Sequence, residues 1–174
     1  MKDYPLFIPP EQVHSIPQKN WNASQAELYF EWFMSVKDDR VNYLLTALNE
    51  VYSNDPESDL KRIGSKVYDE LFKAPFSERE NGTIKITNRG LAMAADVGIL
   101  LANVLMFNNS HIKWEILKKP KSDLSYRLPV LTGFVGLDYI EPIRYSTGNS
   151  RAILMGEENA DVWWKLYEAA QEKV

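Results

Sequence analysis

The sequence predicts an α+β domain, mostly helical, with a buried central helix and a small antiparallel β-hairpin or sheet. Three observations predict it. The run Leu91–Phe107, LAMAADVGILLANVLMF, is apolar round the whole circumference of a helix and holds only two polar residues, Asp96 and Asn103. Segments on both sides of it repeat apolar residues at spacings of three and four. Two short segments behind it, HIKWEIL and YRLPVLTGFV, alternate apolar with polar residues. A chain of 174 residues suits one domain, 1–174, and is long enough to bury a core without a disulfide or metal staple.

Residues 1–21 hold Pro5, Pro9, Pro10 and Pro17, interleaved with Tyr4, Leu6, Phe7, Ile8, Val13 and Ile16. Proline forbids regular helix, and the apolar residues argue against a free solvated tail. This stretch reads as an extended, proline-rich arm packed on the body. A helix is expected next. Ser24 and Glu27 fit a capping box, followed by Ala26, Tyr29, Phe30 and Phe33 at helical spacing. Val41, Leu44, Leu45, Leu48, Val51 and Tyr52 make a second stripe, with a bend or exposed turn expected at Lys37–Arg40, KDDR.

Asp55 followed by Pro56, with Glu57 and Asp59 in the first turn, starts another helix. Its buried face is Leu60, Ile63, Val67, Leu71 and Phe72, and Pro75 limits its end. Ser77–Gly82, SERENG, reads as a polar connection, and TIKI as a short extended entry to the central helix, which Thr87 can cap. On that helix Ala94, Gly98 and Ala102 recur every four residues, a ridge low enough for a neighbouring helix to approach closely. Arg89, Asp96 and Asn103 step by seven along one narrow stripe.

HIKWEIL and YRLPVLTGFV read as paired strands, with Pro129 at an edge or bulge and the polar loop KKPKSD between them. EPIRYSTGNSRAILMG fits a helix closed by Gly156 or a strand, and the helix is favoured. NADVWWKLYEAAQEKV is the last helix, capped by Asn159, with Trp163, Leu166, Tyr167 and Ala170 facing inward.

Composition narrows the function classes. Twenty basic and 24 acidic residues give a net charge of −4, which argues against a dedicated nucleic-acid binder. With no cysteine, thiolate catalysis and cysteine-ligated metals are out. His14 and His111 form no His-x-x-x-His pair, so neither a metal nor a cofactor is expected. The N-terminal stretch lacks a signal-peptide layout, with a single Lys2 before Asp3 and prolines through any apolar region. Leu91–Phe107 is at the short limit for a membrane span and has an acid near its centre. A cytoplasmic protein that does not enter the membrane is expected. A nucleophile elbow, a P-loop and a dinucleotide fingerprint are all absent.

Three groups of residues remain as candidates. An acid inside an apolar helix either has a raised pKa and chemical work to do or is satisfied structurally. Asp96, Asn103 and Trp114 are therefore the lining of a candidate pocket for a small ligand or an enzyme. Lys118, Lys119 and Lys121 form the basic cluster, which either contacts an acidic partner or guards an exposed strand edge. Trp164, adjacent to the inward Trp163, points about 100° away from it and is a candidate contact residue, partly covered by the arm or the sheet.

The order AELYFEWFMSVKDDRVNYL, DVGILLANVL leading into IKWEIL, LPVLTGFVGLDYIEPI and a terminal WWKLYE resembles small uncharacterised bacterial proteins, some of which are immunity proteins that neutralise a toxin by binding it. The resemblance covers most of the chain from Ala26 onward and rests on core-type residues, so it carries over no catalytic residue. It implies a non-enzymatic protein-binding module with a protein partner. The alternative is a small-ligand binder or enzyme with a pocket near Asp96. A deep pocket reaching Asp96 favours the second reading, and a closed surface there favours the first.

Overall fold

The computed structural model describes residues 3–53 and 55–174; Met1, Lys2 and Asn54, which fall in the predicted arm and ahead of the second predicted helix, lie outside the described residues. Among the described residues, six α-helices and two antiparallel two-stranded sheets make a single α+β body. The helices are α1 Glu11–His14, α2 Ala23–Leu48, α3 Pro56–Leu71, α4 Asn88–Asn108, α5 Pro142–Met155 and α6 Val162–Gln171. The strands are β1 Ser77–Glu80, β2 Thr83–Ile86, β3 Lys113–Ile116 and β4 Pro129–Thr132.

The apolar central helix is α4, and it is buried from Ala92 to Ala102 without a break. Its start is capped as the sequence suggests, with Thr87 Oγ1 accepting from the Gly90 N–H at 3.1 Å. At Gly98 the backbone of α5 crosses so closely that a Cβ would stand 2.6 Å from the Pro142 carbonyl oxygen and 2.8 Å from Ile143 Cα. The small-residue ridge is thus the seat of α5. That segment is the favoured helix rather than a strand, and Gly156 closes it with φ at 77°. The helix α6 buries Trp163, whose indole N–H donates to Ser146 Oγ of α5 at 2.9 Å.

Several boundaries differ from the sequence reading. The capping of α2 starts two residues earlier: Asn22, not Ser24, is the N-cap, in a reciprocal box with Gln25. KDDR is no bend. It is continuous helix, because nothing in it breaks the backbone and because Arg40 and Val41 both face inward. The helix ends at Leu48, where Asn49 takes the left-handed conformation with φ 53°. Val51 and Tyr52 therefore lie beyond it and are exposed. Asn159 is not the cap of α6; its side chain accepts from the Asp161 N–H at 2.9 Å in the turn before the helix.

SERENG is not a mere connection. Ser77–Glu80 pairs with Thr83–Ile86 in a hairpin whose turn is Asn81–Gly82, both at positive φ (50° and 81°). The second sheet is the expected one, with Trp114 opposite Leu131 and Ile116 opposite Pro129. Tyr4 and Val13 of residues 3–21 are buried, and residues 11–20 coil into α1 and a short 3₁₀ turn where an extended arm is expected.

Candidate functional site

Asp96 has no exposed surface. A carboxylate in that position needs donors, and three reach it from elements far away in sequence. Arg40 of α2 grips it side-on with one edge of the guanidinium, Nε donating to Oδ1 at 2.8 Å and Nη2 to Oδ2 at 2.6 Å. The Tyr4 hydroxyl of the arm donates to Oδ2 at 2.7 Å. Arg40 spends its remaining nitrogen, Nη1, on the arm's backbone, donating to the carbonyls of Pro5 at 3.0 Å and Leu6 at 3.2 Å. Its guanidinium also lies against the rings of Tyr4 and Phe7. Burial pushes the Asp96 carboxyl up to about 6, while Arg40 and Tyr4 hold it from rising further.

The group is closed and saturated. Asp96 lines none of the cavities described below, and it ties arm, α2 and α4 together. With Arg40 and Tyr4 on its oxygens, the carboxylate serves as a structural tie. Nor do the polar residues of the seven-step stripe share one environment: Arg89 is exposed, Asp96 enclosed and Asn103 half-buried. Sequence reading missed Tyr4 and Arg40 as the partners.

Trp114 and Asn103 lie apart from this centre. Trp114 is buried on β3, edge-on to Phe33 with ring centroids 4.8 Å apart. It borders a groove of about 480 Å³ with Phe30, Ile116 and Val130, and among the described residues its indole N–H has no acceptor. Asn103, two turns beyond Asp96, lines a different cavity with Tyr52, Val104 and Phe107. The three residues grouped as one candidate pocket thus belong to three separate places.

Lys118, Lys119 and Lys121 are all exposed, and among the described residues no carboxylate pairs with any of them. Exposed beside them is Leu124, at 69% of its full surface. A groove of about 430 Å³ runs alongside, bordered by Lys121 and Leu124 on the loop and by Pro17, Gln18 and Lys19 of the arm.

The loop that carries these side chains is fixed by a polar hub. Asp123 accepts from the Tyr139 hydroxyl at 2.6 Å and the Ser125 N–H at 2.7 Å, and these bonds hold its carboxyl below the usual range. Ser125 Oγ donates to the buried Glu141, whose carboxyl burial raises. The Arg127 N–H donates to the Leu117 carbonyl at 2.7 Å. A serine on a carboxylate suggests nucleophilic chemistry, but Ser125 is only 1% exposed and no imidazole joins it. The hub shapes the loop.

Trp164 is half-buried. Lys61 of α3, whose Nζ lies 4.9 Å from the ring centre, and Tyr167 of its own helix lie against it. Among the described residues no three His, Asp or Glu side chains gather as a metal ion would require. No protein-family model matches the chain, and neither a curated protein nor a solved structure matches it.

Proposed function

We propose that the protein is a non-enzymatic binding module that acts in the cytoplasm, holding an acidic protein partner on the loop Lys118–Tyr126. In its specific form the reading is an immunity protein that neutralises a toxin, and the resemblance of the sequence to proteins of that style supports it. The observation that carries the reading is the juxtaposition of three unpaired, exposed lysines with a bare leucine on a loop fixed in place by Asp123 and Ser125. Cations left without internal partners are available to carboxylates on another protein, and a fixed loop loses little conformational entropy on docking. Lys19, facing the same groove from the arm, adds to the positive rim. The core position of α4, with 78% of its apolar window buried inside the fold, supports a soluble protein over a membrane-spanning one. Trp164 stands second as a contact residue.

The test is capture from the lysate of the source cell at low and at high salt, using wild type, the triple Lys→Ala variant at 118, 119 and 121, and Trp164→Ala. The loop reading expects one acidic protein to be retained by wild type at low salt, lost at high salt, and lost from the triple variant at both. Alanine at a true contact residue should cost about 2 kcal/mol or more of affinity, roughly thirtyfold. Screening acts within about 10 Å at 0.1 M salt, so a Trp164 contact would barely respond to it. Retention of the same protein by the triple variant, or capture of nucleic acid instead of protein, would overturn the loop reading. The immunity form further requires that the captured protein be toxic and that binding suppress its toxicity.

A further inference from the structure

A second concave site lies at the C-terminal end of α4, away from the lysine loop. It is a cavity of about 310 Å³ between Asn103, Val104 and Phe107 of α4, Tyr52 in the connection after α2, and Pro56 in the first turn of α3. Its size falls at the lower end of ligand sites, which span roughly 300–1,000 Å³. It is about twice the ~150 Å³ of a dry cavity known to hold one benzene ring. A fused two-ring molecule is the matching size.

The lining sets the chemistry. Val104, Tyr52 and Phe107 supply most of the apolar lining. Phe107 keeps 84% of its surface exposed, an uncommon placement for a phenylalanine. One polar atom is unsatisfied. Asn103 Oδ1 is buried and, among the described residues, accepts no hydrogen bond, while the Nδ2 of the same carboxamide donates to Asp38 at 3.5 Å. A buried acceptor without a donor is costly, and a bound N–H or O–H would relieve that cost. Charge disfavours anions: Asp59 borders the cavity and Asp38 accepts from Asn103 Nδ2. Asp59 itself has no call for a ligand donor, because Ser53 N–H and Arg62 Nη2 already occupy its oxygens, at 2.9 and 2.6 Å.

We infer that this cavity binds a small, uncharged, two-ring aromatic molecule that carries one N–H or O–H donor, with the donor on Asn103 Oδ1 and the rings against Val104, Tyr52 and Phe107. Indole and 1-methylindole make a matched pair of probes, since methylation removes the donor and leaves the rings.

Chemical-shift titration of the ¹⁵N-labelled protein with each probe is the experiment. Wild type should bind indole with a Kd at or below about 1 mM and 1-methylindole about fivefold more weakly, the worth of one neutral hydrogen bond. Asn103→Leu should bind both probes equally. Phe107→Ala, a change at an exposed position that leaves the fold standing, should weaken both several-fold. The inference is overturned if wild type binds the two probes equally, if neither shifts a resonance of Val104 or Phe107, or if Phe107→Ala leaves both affinities unchanged.

Discussion

Asp96 owes its role to its neighbours. Its pKa is raised to about 6 because burial strips its water, and Arg40 supplies the largest opposing interaction. The ordinary aspartate value is about 3.9. A raised acid contributes stability that is fully present below the unfolded pKa and is lost as pH rises through the folded pKa. In wild type that loss therefore falls between about pH 4 and pH 6. Arg40→Met removes the charge that holds the carboxyl down. The folded pKa then climbs beyond 6, and the loss of stability extends to higher pH. Urea midpoints should show Arg40→Met destabilised more at pH 8 than at pH 5, by roughly 1.4 kcal/mol for each unit of added pKa rise. An equal deficit at both pH values would mean that Asp96 does not depend on Arg40.

Among the elements, α4 and its contact with α5 bear the most direct prediction. Gly98 touches the backbone of Pro142 and Ile143 with no room for a Cβ. Gly98→Leu should cost about 1–3 kcal/mol or more, since backbone cannot move aside as a side chain can. Urea melts of the two proteins check it, and equal midpoints would place Gly98 away from α5. This contact was legible because small residues every four positions in an apolar helix have few other uses. The hairpin β1–β2 was legible in one signal only. Asn81–Gly82 is the turn pair that tight hairpins favour, but Ser77–Glu80 shows no alternation because all but Ser77 are exposed. The misread bend at KDDR concealed Arg40. Three charged residues and an arginine look solvated, yet Arg40 follows Phe33 by seven and precedes Leu44 by four, which places it on the inward face. That spacing was the available sign of a buried cation. Its partner was not legible, because Asp96 lies 56 residues away and Tyr4 lies 92 from Asp96.

Across the whole molecule the polar residues divide by task. Asp96, Arg40 and Tyr4 join the arm to α2 and α4, while Asp123, Ser125 and Glu141 shape the loop that presents the lysines. The core thereby holds the surfaces on which binding is proposed, and the Asp96 oxygens are taken up by Arg40 and Tyr4. Which residues would meet a partner was only partly legible. The lysines stand out in sequence, but Leu124 and Lys19 join them only through the fold. A buried ion pair is strongly destabilising to break, by about 3–5 kcal/mol, and often neutral to replace as a unit by apolar residues. The most direct measurement is therefore a double-mutant cycle of Arg40→Met and Asp96→Leu by urea unfolding at pH 7. Arg40→Met alone should cost about 3–5 kcal/mol, and adding Asp96→Leu should restore much of it, because no charge is then left buried alone. If the two substitutions instead add, with the double variant as unstable as the sum of the singles, Asp96 and Arg40 do not act as a unit, and the structural role assigned to the acid in the apolar helix is wrong.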